Sequence, residues 1–159
     1  MKRISLASLI FAALASVVIL LAAQESMSGQ GKGSKIVGTW QTSGSVINCQ
    51  TGATLASFIG LNTFLESGSM FSTGASNPAL TSTGYGVWEH EGARRFTNTI
   101  MSFRFNVDGS YAGSTKITRA IEVDGSGDTF TSTNSLELAD PAGTVIATRC
   151  STETGRRLE

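Results

Sequence analysis

The sequence predicts an all-β protein: an eight-stranded antiparallel up-and-down barrel behind an N-terminal signal peptide. Three observations predict it. A basic, then apolar, then small-residue start opens the chain. The remainder is rich in Thr, Ser and Gly and poor in helix formers, a composition suited to pleated, half-buried surfaces. Turn signals recur at regular, short spacing from Gly84 onward, leaving no room for crossover helices.

The first segment is a targeting signal, not fold. Lys2 and Arg3 are followed by an uncharged apolar stretch from Leu6 to Ala23. A membrane span needs ~20 apolar residues; this one is slightly shorter and ends in Ala22-Ala23. It reads as a secretory signal (1–23) cleaved after Ala23. The expected product is exported to a periplasmic or extracellular space and keeps no stable membrane anchor. Residues 24–34 are polar and Gly/Ser-rich and read as a flexible leader; residues 35–159 form the barrel domain. Removing Lys2 and Arg3 from twelve basic residues leaves ten against twelve acidic, a net charge of −2. With no basic run, nothing favours nucleic acid or an anionic membrane.

Strand by strand, Ile36 to Ile47 comes first, then a turn from Cys49 to Thr54. Ala56 to Leu65 is ambiguous. Leu55, Phe58, Ile59 and Asn62 would share a helical face, but β-branched residues, Gly60 and the Glu66-Ser67-Gly68 turn favour a strand. Ser69 to Thr73 returns, and Gly74 to Thr83 is a loop marked by Asn77-Pro78. Gly84 to Glu89 follows, with His90-Glu91-Gly92 as a turn. Arg94 to Asn106 changes phase: Phe96, Asn98 and Ile100 alternate against Met101, Phe103 and Phe105. The slip predicts a bulge near Ile100. Asp108-Gly109 is a hairpin turn. Tyr111 to Val123 then places Ile117, Arg119, Ile121 and Val123 on one face. Asp124 to Gly127 turns into Thr129 to Ala139, with Phe130, Ser132, Asn134, Leu136 and Leu138 on one face. Asp140 to Gly143 turns into a last strand, Thr144 to Thr152. Consecutive hairpins make a meander, and closing it removes exposed edges.

Two cysteines, Cys49 and Cys150, in an exported chain read as one disulfide. It ties the first strand region to the last. A loop of ~100 residues is worth on the order of 4–5 kcal/mol in the chain-entropy model.

Gly38-Thr39-Trp40, on the first strand of such a barrel, resembles the lipocalin and wider calycin signature. The resemblance implies that Trp40 plugs the closed end, with an arginine from the end of the last strand packed across it. Arg149, Arg156 and Arg157 all remain candidates for that arginine. That family's mid-chain Thr-Asp-Tyr is not present. Gly38 to Ser45 also resembles the first strand of avidins, without a matching biotin site later. Phe103 to Glu159 resembles small exported bacterial domains.

Chemistry is sparse. His90, between Glu89 and Glu91, has no nucleophile or ligand set around it and reads as an exposed turn. Asp124 and Asp128 lack the spacing of a calcium loop. No metal site and no cofactor are expected. Trp40, Trp88, Phe103, Tyr111, Arg119 and Asn134 are the candidate ligand-binding residues. The aromatics would wall a lumen for a small apolar molecule, and Arg119 would meet a polar head such as a carboxylate. Arg119, Ser132 and Asn134 share faces with apolar residues, so burial would oblige them to find partners. The leading expectation is an exported lipocalin-like barrel that binds a small apolar ligand. The alternatives are a structural or protein-interaction barrel with a filled core, and a barrel enzyme of cyclase or isomerase kind. The last would need Arg119, Ser132, Asn134, and Tyr111 or Glu89, to converge.

Overall fold

The computed structural model describes residues 35–158. The expected signal segment 1–23, the expected leader 24–34 and Glu159 lie outside the described residues. Eight strands follow in order: β1 (Gly38–Ile47), β2 (Thr54–Phe64), β3 (Ser69–Gly74), β4 (Gly84–Gly92), β5 (Arg95–Phe105), β6 (Tyr111–Val123), β7 (Thr129–Ala139) and β8 (Val145–Arg157). Each pairs antiparallel with the next, and β8 pairs back on β1, so the sheet is a closed up-and-down barrel. Among the described residues, no helix is long and apolar enough to cross a membrane. The segment that was ambiguous between helix and strand is β2, in register with β1 from Gly38↔Phe64 to Val46↔Ala56.

Asn or Asp side chains set most of the turns by capturing backbone amides, as these residues do in tight turns. Asn48 Oδ1 accepts from Gln50 N at 2.9 Å, Asp108 Oδ1 from Ser110 N at 2.9 Å, and Asp140 Oδ1 from Thr144 N at 2.9 Å. Asp124 Oδ1 accepts from Gly127 N at 2.7 Å and Asp128 N at 3.1 Å. The turn at Asp124 is therefore a hairpin, and no acidic cluster among the described residues could hold a metal ion. The Ser126 hydroxyl, and then the amides of Gly127, Thr129 and Asp128, hold the Asp124 carboxyl well below the usual carboxylate range.

The closed end is aromatic. Trp40 and Ile36 are fully buried. Trp40 Nε1 donates to Ile36 O at 2.8 Å, and Phe130 meets the indole edge-on at 5.1 Å. Phe130 lies over Gly155, where an added Cβ would come within 2.1 Å of its ring; glycine there makes the plug fit. The resemblance left three arginines open, and Arg157 takes the position: its guanidinium carbon lies 4.3 Å from the Trp40 ring centroid. Arg157 also donates to Gly127 O at 2.9 Å, to Val37 O at 2.6 Å, and to Lys35 O. One side chain thus stacks on the plug and pins the entering segment. At the other end, Cys49 and Cys150 are bridged, with Cα atoms 5.1 Å apart.

Three expectations are corrected. The last strand does not stop at Thr152 but continues to Arg157, because β1 offers partners as far as Trp40. The fourth strand runs through His90 to Gly92, and the turn is Ala93-Arg94, with Ala93 at φ 50°. Pairing of β5 with β6 is unbroken from Arg95 to Arg104, so there is no bulge at Ile100. The irregularity lies at Arg104/Phe105, where Ala112 is the extra residue of β6. Gly113, at φ 115°, allows it; a Cβ there would lie 2.0 Å from Ala139 O. Arg104 fills the distorted corner, donating to Ala139 O at 2.7 Å and Ala112 O at 3.3 Å.

Arg157→Ala removes a cation–π contact and charged hydrogen bonds together. It is expected to lower unfolding free energy by about 2–3 kcal/mol, read from urea denaturation; a change below about 0.5 kcal/mol would contradict the pinning role. Asp124 has a depressed folded-state pKa, so its contribution is present above its unfolded pKa, near ~4, and is lost as pH falls through the folded value. Stability of Asp124→Asn should therefore fall less than wild type on acidification from pH ~4 downward, in parallel denaturation curves.

Candidate functional site

Inward-facing residues of neighbouring strands lie opposite one another, and one such row is polar. Trp88 faces Asn98, Asn98 faces Arg119, Arg119 faces Asn134, Asn134 faces Ser151, and Ser151 faces Val46. The adjacent row carries Phe96, Ile121, Ser132 and Glu153. Arg119 is 5% exposed and Glu153 2%. Their side chains form an ion pair, Arg119 Nε to Glu153 Oε2 at 3.4 Å. Burial lowers the Arg119 pKa, and the Glu153 carboxylate opposes that shift. Glu153 has further donors: Asn62 Nδ2 at 3.0 Å on Oε1 and the Ser132 hydroxyl at 3.3 Å on Oε2. Asn134 Nδ2 donates to Ser151 Oγ at 2.8 Å.

Beside this cluster lies a lumen cavity of about 220 Å³. Arg119, Asn134, Ser151 and Glu153 line one part of it; Phe58, Ile100, Ile117 and Leu136 give it apolar wall. Ser76, Thr81 and Ser82, from the segment between β3 and β4, also border it. Five buried polar atoms in this region have no hydrogen-bond partner in the protein: Arg119 Nε and Nη1, Asn134 Oδ1, and both amide atoms of Asn98. Buried groups rarely stay unpaired, and this concentration marks the site. A larger, more open depression of about 1100 Å³ is bordered by exposed Ser43, Thr131, Thr133, Thr152 and Thr154 and also reaches Phe96, Ser132 and Glu153. Exposed hydroxyls are already hydrated, so the lumen is the candidate site.

The six candidate residues separate into three groups. Arg119 and Asn134 line the cavity. Trp40 is the plug of the closed end. Trp88 packs edge-on between Phe64 and Phe96, at 6.4 and 6.0 Å, and donates to Leu65 O. Phe103 and Tyr111 face outward, 50% and 44% exposed, and meet edge-on at 5.9 Å. They are not lumen wall, as the sequence suggested, and the displaced bulge is the reason. Unbroken β5 pairing turns Phe96, Asn98 and Ile100 inward and Phe103 outward. The extra residue Ala112 then takes Tyr111 out of phase with Ile117 and Arg119.

Outside the barrel, Phe71 faces Tyr85, and Tyr85 faces Met101. With Phe103 and Tyr111 they leave an exposed aromatic face. His90 stacks on Phe96 at 4.9 Å and reaches Ala93 O at 3.2 Å; Glu89 and Glu91 do not form a catalytic set with it. The residue missed altogether is Glu153. Its signal was the alternation Ser151, Glu153, Gly155, Arg157, hidden by ending the last strand at Thr152.

No protein-family model matches the chain, and no curated protein matches it. Among solved structures, that of EF1p2_mFAP2b bound to DFHBI matches with a TM-score of 0.57 and 18% identity, over 78% of this chain and 94% of the other. At that identity the likeness is one of fold.

Removing one member of a buried ion pair strands the other. Arg119→Met and Glu153→Leu are each expected to cost about 3–5 kcal/mol, while the double variant recovers most of that loss. Urea denaturation of the four proteins measures it. Additive losses would mean that the two groups are not coupled.

Proposed function

We propose that this protein is an exported barrel that binds a small molecule in its lumen, at the cavity beside Arg119, Asn134 and Glu153. The observation that carries the reading is the coincidence of a lumen cavity with buried polar atoms that have no hydrogen-bond partner. A barrel evolved only as a core would be expected to fill or satisfy that space. The similar structure, EF1p2_mFAP2b bound to DFHBI, supports the reading by showing a barrel of this shape with a small guest. The cavity of about 220 Å³ is below the ~300–1,000 Å³ typical of drug-sized ligands, so the guest is compact. The signal segment and a Cys49–Cys150 bridge both suit an oxidising, exported compartment.

A second reading, an interaction domain, is favoured by the outer face of Phe71, Tyr85, Met101, Phe103 and Tyr111. Exposed apolar patches of this kind mark contact surfaces.

One set of measurements separates the two. Protein exported by a bacterial host is analysed by native mass spectrometry without organic wash, as wild type, as Ile117→Phe to fill the cavity, and as Tyr85→Ser with Phe103→Ser. A small mass that leaves on denaturation, is lost in Ile117→Phe and persists in the outer-face variant is the expected result. Retained mass lost only in the outer-face variant would move the site outside. Tryptophan emission is a poor reporter, because neither Trp40 nor Trp88 lines the cavity.

A further inference from the structure

We infer that the lumen selects an uncharged guest bearing an amide-like edge, with an acceptor and a donor side by side on a compact apolar body; this rests on the lumen-binding reading above. The charge balance comes first. Arg119 offers the buried cation to which an acidic head group would be expected to bind. Glu153, however, lies 3.4 Å from Arg119 Nε and is itself 2% exposed. The pair is neutral as a unit. A guest carboxylate would approach Glu153 without a free cation to offset the repulsion, and a guest ammonium would meet Arg119. Both would also leave water for a low-dielectric site.

The unmade hydrogen bonds come second. Glu153 is occupied by Asn62, Ser132 and Arg119. Arg119 Nη1 is a donor without an acceptor, and Asn134 Oδ1 is an acceptor without a donor. The two residues are directly opposite on β6 and β7, where cross-strand Cβ atoms lie ~4.5–5.5 Å apart. Asn134 Nδ2 is turned away onto Ser151 Oγ, which leaves Oδ1 for a guest. A donor and an acceptor on facing residues that line one cavity match the C=O and N–H of a carboxamide, lactam or urea. Ile100, Ile117 and Leu136 would hold the apolar remainder and leave water few partners there.

The test uses three probes of one size on the wild-type exported protein: benzamide, benzoate and toluene, titrated by calorimetry at pH 7. Benzamide is expected to bind about tenfold or more tightly than either of the others, the factor that about one unmade buried hydrogen bond is worth. Asn134→Leu should erase that preference and leave toluene binding intact. If Asn134→Leu does not fold, the ranking on wild type alone decides. Toluene binding as well as benzamide would overturn the inference while lumen binding stands. Benzoate binding tightest would overturn it by showing that Glu153 does not neutralise Arg119. If none of the three binds, and native mass spectrometry also shows no guest, the orphaned atoms are met by water and both readings fail.

Discussion

The return of the last strand onto the first is the constraint on which the rest depends. β8 pairs with β1 from Trp40↔Arg157 to Ile47↔Cys150. That single ladder removes the two edges a meander would leave exposed. It brings Arg157 beside the ring it covers. It sets Cys150 near enough to Cys49 for a bridge, and the bridge then limits how far the unfolded ends of the ladder can separate. It also fixes the phase of β8. Ser151, Glu153 and Gly155 are buried while Thr152 and Thr154 are exposed. A slip by one residue would exchange these sets, exposing the glutamate and turning threonine inward.

Phase explains why a charge is tolerated in the lumen. Desolvating an ion pair is costly, and the attraction recovered inside the protein offsets this only with good geometry and further hydrogen bonds. Glu153 has them from β2 and β7, through Asn62 and Ser132. Arg119 does not, and its guanidinium keeps unpartnered nitrogens. The cluster is therefore satisfied on its acidic side and unsatisfied on its basic side. A purely structural network would be expected to close on both sides, since a half-satisfied buried network is less stable than apolar packing of the same volume. The imbalance lies beside the cavity, where a guest would correct it.

Most of the fold was legible in the sequence, because Gly, Asn and Asp turns and period-two alternation are local signals. Asp108-Gly109 and Asp140 to Gly143 mark their hairpins, and Gly38-Thr39-Trp40 marks the plug. What was not legible depends on pairing between strands. Phe96 to Ile100 and Met101 to Phe105 are both apolar in alternation, so β5 carries two candidate inner faces. The choice is made by β6, whose bulge at Ala112 rests on Gly113 and has no strong signature of its own. The site suffered in the same way. Arg119 and Asn134 were readable as polar residues on apolar faces, but Glu153 required knowing that β1 extends the last strand.

The two ends of the lumen then have different physical roles. At the closed end, Trp40, Phe130, Phe64 and Met70 are buried, with Arg157 at the rim and Asn62 opposite Trp40, and both indole N–H groups have a carbonyl. Such a floor is rigid and excludes water. Water exclusion raises the energetic weight of each polar group above it. Arg119 and Asn134 are placed opposite one another by strands whose register is continuous around them, so their backbone positions are set by pairing. A buried donor and a buried acceptor on facing residues discriminate between guests, since a guest lacking either group leaves a buried atom unpaired. On the lumen-binding proposal, selectivity would follow from how the floor is sealed as much as from which residues line the cavity.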